Sequence, residues 1–277
     1  MMLSNRYQKK STLIKRCEMA SDDNTINIVT AAFVIIGNEI LSGRTKDVNL
    51  FFLASELSNI GIRLEEVRII KDDHNVIADT VRIMRKQYDY VFTSGGIGPT
   101  HDDITCDSIA QSFDLEVYHH PDAVQRMSVH AQKRNVELNE VRMRMARTPR
   151  GATLILNPIS AAPGFTVENV HVMAGVPSVF QAMVKELLPT LKTGTKIHSL
   201  TVVCDLGEGS IANGLEQIQK EKPNIDIGSY PYFRSGIYGT ELVLRGTNIS
   251  DLEIAAESIR QLVLENNGHP TNKEDKE

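Results

Sequence analysis

Runs of apolar residues alternate with stretches of helical periodicity through the first part of the chain. Residues Ile28 to Ile36 are almost wholly apolar and rich in β-branched side chains, which is typical of a strand buried on both faces. Leu64 to Ile70 is the second predicted strand and Tyr90 to Thr93 the third, and each is followed by apolar residues at helical spacing. Three strand and helix units with short connections predict an α/β fold with a mostly parallel sheet and right-handed crossovers.

The pattern becomes less regular after the third unit. A short strand is expected at Leu115 to Tyr118, and a helix is expected to begin at Pro121. The turn residues of Asn157 to Phe165 predict a loop, and the apolar run Val170 to Met173 predicts another strand. A small-residue turn and a helix that ends near Pro189 follow, so the order of strand, turn and helix returns.

A change in composition near residues 191–195 predicts a linker and a second domain. The pattern beyond it predicts elements in the order strand, helix, strand, strand, helix, at Ser199 to Cys204, Ser210 to Lys220, Ile225 to Ile227, Thr240 to Arg245 and Leu252 to Leu264. We expect a main domain over 27–191 and a small α+β domain over 196–265. Polar composition predicts a flexible extension over 1–26 and a disordered tail over 266–277.

Composition and charge narrow the function classes. With 41% hydrophobic and 23% charged residues, the chain is typical of a globular protein, and no stretch is long and apolar enough to span a bilayer. The net charge of −5 argues against a general nucleic-acid binder. The three cysteines have no paired spacing, so neither a zinc site nor a disulfide framework is expected, and a reducing cytoplasm fits best. Neither a membrane nor nucleic acid is an expected partner.

The chemistry concentrates between Tyr90 and Asp107, where an apolar strand ends in glycines and then acids. Three glycines, Gly95, Gly96 and Gly98, let the backbone turn so that several N–H groups face one anion, with Pro99 and Thr100 beside them. Asp102, Asp103 and Asp107 follow, and carboxylates beside a phosphate require a cation between them. The stretch therefore indicates phosphate plus metal. The alternative is a tight connection whose aspartates only cap the following helix.

Other strand ends supply further candidates. Glu39, Asp47 and Asn49 lie in the loop after the first strand, and Asp72 follows the second, where open α/β sheets bind ligands. Solvated loop residues, or caps of the next helix, are the alternative for the acids. The run from Arg142 to Arg150 holds four arginines, which suit a phosphate-bearing ligand or a neighbouring subunit but are also typical of a solvated face.

The order and spacing of five motifs resemble a known family. They are GNEILSGRTKDVN, Asp72 after a strand, SGGIGPTHDDITCD, NPISAAPGF and AGVPSVFQAMV. Together they resemble the molybdopterin-binding (MoaB/Mog-like) domain in the form found in the CinA, or competence/damage-inducible protein A, family. The resemblance covers about 28–191, and the segment after it looks like the small KH-like domain of CinA proteins. Full-length CinA proteins carry a further deamidase domain, which this sequence does not include, so nicotinamide mononucleotide deamidation is not expected.

This resemblance implies a three-layer α/β fold with a mostly parallel sheet and a second, small α+β KH-like domain. It implies that Asp72 and Asp103 are catalytic and hold a divalent ion (Mg, Mn or Co) together with Asp107. The glycine turn and the turns at Gly164 and Gly175 would bind a pterin or nucleotide phosphate. Departures such as Asn38 for the usual aspartate and Ala174 for a proline weaken any role at those two positions.

Three activities follow from the resemblance. The first is metal-dependent hydrolysis of a nucleotide pyrophosphate such as ADP-ribose or FAD. The second is a non-catalytic molybdopterin-binding or nucleotide-binding module, and the third is a molybdopterin adenylyltransferase of molybdenum cofactor biosynthesis. The ligand would be molybdopterin or an adenine nucleotide, and the family habit implies a homo-oligomer, a dimer or a trimer.

Overall fold

The computed structural model describes residues 27–234 and 236–272. The expected flexible extension over 1–26 lies outside these residues, as does the end of the expected tail. In the first domain the strands are β1 (Val29–Ile36), β2 (Ile62–Ile70), β3 (Tyr90–Ser94), β4 (Val117–His119), β5 (Arg147–Pro149), β6 (Thr153–Ile155), β7 (Gly164–Val167) and β8 (Val170–Met173). The helices are α1 (Asn38–Leu41), α2 (Asn49–Asn59), α3 (His74–Gln87), α4 (Thr105–Ser112), α5 (Pro121–Lys133), α6 (Glu140–Met143) and α7 (Pro177–Leu187).

A six-stranded sheet forms the centre of the first domain, in the order β2-β1-β3-β8-β7-β6. The first four of these strands are parallel, so their carboxyl ends meet at one edge of the sheet. Strand β1 lies between β2 and β3 and is buried along nearly its whole length, which explains its unbroken apolar sequence. Strands β6 and β7 are antiparallel additions at the far side.

Helices cover both faces of this sheet. On one face α2 and α7 pack with Leu53 and Phe180 against Phe33 and Phe92 of the sheet. On the other face α3 and α4 contribute side chains such as Val81 and Ile109 to a second core cluster. The two clusters make three layers, and the expected three-layer α/β fold is confirmed.

Two features differ from the pattern expected in this domain. The segment Asn157 to Phe165 was predicted to be a loop throughout, but Gly164 and Phe165 begin strand β7. The expected strand at Leu115 to Tyr118 forms as β4, which pairs with β5 as a separate antiparallel ribbon. This ribbon brings the arginine-rich segment that ends in β5 back towards the helix that follows the glycine turn, since α4 packs against β5.

The second domain is a four-stranded antiparallel sheet covered by two helices. Its elements are β9 (His198–Cys204), α8 (Glu208–Glu221), β10 (Asp226–Arg234), β11 (Ile237–Gly246), α9 (Ile249–Glu265) and β12 (Pro270–Asn272). The sheet order is β10-β11-β9-β12, and both helices pack onto one core cluster with Val202 and Leu242. The small α+β domain is therefore present.

Two expectations in the second domain are wrong. The sequence pattern predicts strands only at Ile225 to Ile227 and Thr240 to Arg245, but the segment between them, with Tyr230, Tyr232 and Phe233, belongs to the hairpin of β10 and β11, which is paired from Asp226 onward. The disordered tail was expected to begin at residue 266, but residues 270–272 form strand β12, which pairs with β9. None of the helices among the described residues is long and apolar enough to cross a bilayer.

Candidate active site at the strand ends

The carboxyl ends of the parallel strands are in direct contact. The N–H of Gly37, after β1, donates to the carbonyl of Ile70 at the end of β2 (3.1 Å). The N–H of Gly95, after β3, donates to the carbonyl of Met173 at the end of β8 (3.1 Å). A Cβ placed on Gly95 would lie 2.1 Å from the carbonyl oxygen of Ile36. Four strand ends therefore meet around the glycine turn.

The turn itself depends on two consecutive glycines. Gly95 and Gly96 have φ values of +104° and +68°, a region that side chains with a Cβ rarely adopt. Thr105, at the start of α4, donates its N–H to the carbonyl of Gly96 and its hydroxyl to the carbonyl of Gly95, both at 3.0 Å. With both carbonyls held, the N–H groups of Gly96 and Ile97 have no acceptor among the described residues, and consecutive free amides suit an anion.

Asp103 fastens the loop that follows the turn. Its carboxylate accepts hydrogen bonds from the N–H of Gly98 (2.7 Å), the N–H of Thr100 (2.7 Å) and the hydroxyl of Thr100 (2.6 Å). Pro99 lies between Gly98 and Thr100 in the chain. A Cβ on Gly98 would lie 2.6 Å from the carboxylate of Asp103, so the absence of a side chain leaves room for this carboxylate. The N–H groups of Gly95 and Gly98 are therefore already engaged. Of the three glycine amides expected to hold an anion, only that of Gly96 has no acceptor in the described structure.

Asp72 lies at the end of β2 and faces the loop after β1. Its Oδ2 accepts a hydrogen bond from the N–H of Asn38 (2.8 Å), at the beginning of α1. The carboxylate of Glu39 folds back to within 2.6 Å of the position that a Cβ on Gly37 would take. One oxygen of Asp72 has no donor among the described residues, so this half-buried carboxylate can still bind a cation or a water.

The loop before α2 connects the first and the last strand ends. Asp47 accepts a hydrogen bond from the N–H of Leu50 (2.9 Å) and caps α2, which is the alternative that its sequence position allowed. Asn49 is buried and donates to the carbonyl of Gly175, after β8 (2.9 Å). Its Oδ1 is buried without a partner among the described residues. A Cβ on Gly175 would lie 3.3 Å from the Cα of Gly95, so Asn49 reaches the glycine turn through Gly175.

Asp107 does not join the other aspartates around one metal ion. It forms an ion pair with Arg147 of β5, across forty residues of chain. Among the described residues no group of three or more His, Cys, Asp or Glu side chains is placed to hold a metal ion. The expected set of Asp72, Asp103 and Asp107 is therefore corrected, because Asp107 neutralises an arginine.

Gly164 also has a different place from the one expected. It is buried inside β7, and a Cβ at this position would lie 2.4 Å from the carbonyl oxygen of Val172 in β8. The absence of a side chain therefore allows two strands to approach closely. Gly164 contributes to the sheet and not to the turn-lined site.

A narrow cleft opens beside the glycine turn. Its lining includes Gly98 and Asp103 of the loop after the turn, and Arg144 and Arg147 of the arginine-rich run. The cleft encloses about 10 Å³, which is room for about one water molecule, so a larger ligand would bind across its mouth. Burial raises the pKa of Cys106, which also lines the cleft, to about 12, so this thiol stays neutral and is not a nucleophile.

A second cavity of about 200 Å³ adjoins the cleft at Pro163. Its walls are mainly apolar, with Leu156, Pro158 and Ala161, and carry Arg126 and Glu186 at the edge.

The sequence did not single out Thr105, and it gave the arginine-rich run a phosphate-binding role only as one alternative, without selecting Arg144 or Arg147. The local signal for Thr105 is its position at the start of the helix, two residues after Asp103. The two arginines lie about 40 residues further on and reach the site only through the β4 and β5 ribbon.

Comparison with known proteins identifies the first domain. Residues 32–193 match the family described as "Probable molybdopterin binding domain". The chain belongs to this molybdopterin-binding family. Residues 196–268 match a second family, described as "FAD synthase, middle domain". The expected family is thus confirmed, and the second domain is placed with a domain found in FAD synthases.

Individual proteins are also similar to this chain. A protein of Archaeoglobus fulgidus is 35% identical over 72% of this chain and 85% of its own length. A probable FAD synthase of Caenorhabditis elegans is 31% identical over 84% of this chain, which spans 50% of that protein. The solved structure of the protein CinA from Thermoplasma acidophilum, 29% identical, covers 58% of this chain and 98% of its own with a TM-score of 0.54. The expected likeness to CinA proteins is confirmed.

Proposed function

We propose that this protein binds a nucleotide or pterin at the strand ends and hydrolyses nucleotide pyrophosphates of the ADP-ribose or FAD type. The proposal rests on the site where four strand ends meet. There the amide of Gly96 has no acceptor in the described structure, and Asp72 at the end of β2 has one carboxylate oxygen without a donor. The match of the second domain to the middle domain of FAD synthases supports a flavin or adenine nucleotide as the ligand class.

Each group at the site would have a defined task in this reaction. The N–H groups of Gly96 and Ile97 would donate to an anionic phosphate oxygen and stabilise charge that develops on it. The orphaned Oδ1 of Asn49 would accept a hydrogen bond from the ligand. Asp103 keeps the loop in the shape that presents these donors, through its three hydrogen bonds to Gly98 and Thr100.

The carboxylates fit a divalent ion only if the substrate shares its coordination. Asp72 has one oxygen without a donor, and the Oδ1 of Asp103 keeps one lone pair beyond its hydrogen bond from Gly98, whereas its Oδ2 already accepts two hydrogen bonds. Mg²⁺ is commonly held by one or two carboxylates together with substrate phosphates and water. Asp72 and Asp103 are the residues we propose to hold such an ion (Mg, Mn or Co), which would offset the negative charge of the pyrophosphate.

Two other functions remain as alternatives. A non-catalytic molybdopterin-binding or nucleotide-binding module would use the same glycine turn for binding alone. A molybdopterin adenylyltransferase would join AMP to the pterin and would use the same phosphate and metal groups.

The test is incubation of the purified protein with ADP-ribose, with FAD, and with ATP plus molybdopterin, each with Mg²⁺, Mn²⁺, Co²⁺ or a chelator. We expect AMP release from ADP-ribose or FAD that requires the metal. Asp72→Asn keeps an oxygen for the N–H of Asn38 but removes the charge, so AMP release should fall by about 100-fold with the fold intact. Asp102→Asn, an equal change of charge at an exposed position, is the matched control.

The outcomes separate the three functions. Tight binding without turnover under any metal would contradict hydrolysis and favour the binding module. Formation of adenylylated pterin would favour the transferase. An equal loss of AMP release in the Asp72 and Asp102 variants would contradict the role given to Asp72.

A further inference from the structure

One arginine of the run from Arg142 to Arg150 differs from the other three. Arg142 donates to the carbonyl of Glu137, Arg147 pairs with Asp107, and Arg150 pairs with Glu116. Arg144, which is half-buried, has no hydrogen bond or ion pair among the described residues. A partly buried guanidinium without a carboxylate partner is unusual, because removal of a charge from water is costly unless another group compensates.

Arg144 is placed where an anion would compensate it. It lines the narrow cleft together with Ile97, Gly98 and Asp103 of the loop that follows Gly95 and Gly96. A solvated face, the ordinary explanation for a basic run, fits the exposed Arg142 and Arg150 but not a side chain that forms a wall of the cleft.

The acids around the cleft do not neutralise Arg144. Asp103 uses its carboxylate on three hydrogen bonds within its own loop, and Asp107 is paired with Arg147. The pKa of Asp102 is lowered chiefly by the hydroxyl of Thr100, with smaller contributions that include the charge of Arg144. Asp102 is exposed and forms no ion pair with Arg144. The cleft therefore carries a guanidinium without an ion-pair partner among the described residues, and Ile97 and Gly98 of the loop after the glycine turn line the same cleft.

We propose that Arg144 binds a phosphate oxygen of the pyrophosphate group that the glycine turn holds, and that it makes the site selective for a diphosphate over a single phosphate. The planar guanidinium offers paired donors that match two phosphate oxygens. The glycine amides would hold one phosphate and Arg144 the next. This inference rests on the proposed function for the identity of the substrate, but it concerns binding and not hydrolysis.

The experiment measures binding of inorganic pyrophosphate and of inorganic phosphate by calorimetry to the full chain and to Arg144→Gln. We expect the Kd for pyrophosphate to rise about 10- to 100-fold, because a hydrogen bond to a charged group is lost. The Kd for phosphate should change less than threefold. Arg144→Lys should recover part of the affinity, since lysine keeps the charge but not the paired donors.

Arg142→Gln is the matched control, because it removes the same charge from the same run at an exposed position and should change either Kd less than twofold. If the Arg142 and Arg144 variants raised the Kd for pyrophosphate equally, the proposal would be overturned, because only the overall positive charge of the run would then affect binding. A wild-type protein without measurable affinity for pyrophosphate would also overturn it.

Hydrolysis assays on the same variants separate this inference from the proposed function. Loss of pyrophosphate affinity in Arg144→Gln, in a protein that hydrolyses no nucleotide, would support the inference and contradict the proposed function. Normal hydrolysis and normal pyrophosphate binding in the variant would contradict the inference alone.

Discussion

Asp103 holds the loop after the glycine turn, and its replacement by asparagine gives a local and measurable prediction. The carboxylate accepts from Gly98 through one oxygen and from the N–H and hydroxyl of Thr100 through the other. Asparagine keeps one acceptor oxygen and puts an NH₂ group in place of the second. Whichever way the amide turns, the N–H of Gly98 or of Thr100 then faces a donor and loses its acceptor.

The expected size follows from these contacts. A hydrogen bond to a charged acceptor contributes about 1.5–3 kcal/mol. In Asp103→Asn at least one such hydrogen bond is lost, and the remaining ones are made to a neutral amide oxygen instead of a carboxylate. The hydroxyl of Thr100 can rotate to accept from the new NH₂, so we count only the backbone bond. Local opening of the loop should therefore become easier by about 1.5–3 kcal/mol, which corresponds to amide exchange about 10- to 160-fold faster.

The assay is native-state hydrogen exchange at Gly98 and Thr100, read by NMR in the wild type, Asp103→Asn and Asp102→Asn. At least one of the two amides should exchange faster by the stated factor in the Asp103 variant. The side chain of Asp102 accepts from neither of the two amides, which both donate to Asp103, so its variant should leave the exchange of Gly98 within about threefold. Unchanged exchange at both amides in Asp103→Asn, or the same acceleration in both variants, would refute the reasoning.

Two other features give further predictions. Gly95→Ala should destabilise the first domain by at least about 3 kcal/mol, because its Cβ would lie 2.1 Å from a backbone carbonyl oxygen. Gly43 also has a positive φ but lies in open space, so Gly43→Ala should cost only about 1 kcal/mol. Equal losses of unfolding free energy for the two variants in urea would contradict this. Burial lowers the pKa of His171 to about 4, so the folded state binds fewer protons than the unfolded state, and the stability present above pH 6.5 is lost as the pH falls towards 4. When the pH is lowered from 7.5 to 5.0, the unfolding free energy of the wild type should therefore fall by about 2 kcal/mol more than that of His171→Gln. An equal fall in the unfolding free energy of both proteins would contradict the burial of a neutral histidine.

The parts of the fold that were predictable have a strong and local signal. Strands β1 and β3 are apolar runs buried by helices on both faces, whereas β2 is an edge strand with alternating burial. The short connections make all three parallel neighbours. Strand β10 extends to Arg234, well beyond the predicted Ile225 to Ile227, and Pro231 interrupts the pattern that would have indicated its full length. Proline is tolerated there because β10 is an edge strand, a property that only the sheet order reveals.

The position of the site in the fold could be predicted from the sequence, but the roles of its individual residues could not. The glycine turn, Asp72 and Asn49 converge as the strand order requires. Sequence could not tell whether Asp103 binds a ligand or its own loop, because both uses need the same carboxylate at the same spacing. It also could not pair Asp107 with Arg147, since that contact depends on a ribbon about 40 residues away.

Binding of a nucleotide phosphate by the glycine turn can be observed by NMR of ¹⁵N-glycine-labelled protein. The chain has 18 glycines, so each amide can be followed during a titration with ADP-ribose, with adenosine as the control that lacks phosphate. We expect the Gly96 amide to shift most, those of Gly95 and Gly98 to follow, and those of Gly151 and Gly236, which lie at open positions, not to move. Shifts confined to glycines outside the strand ends, or equal shifts with adenosine, would contradict it.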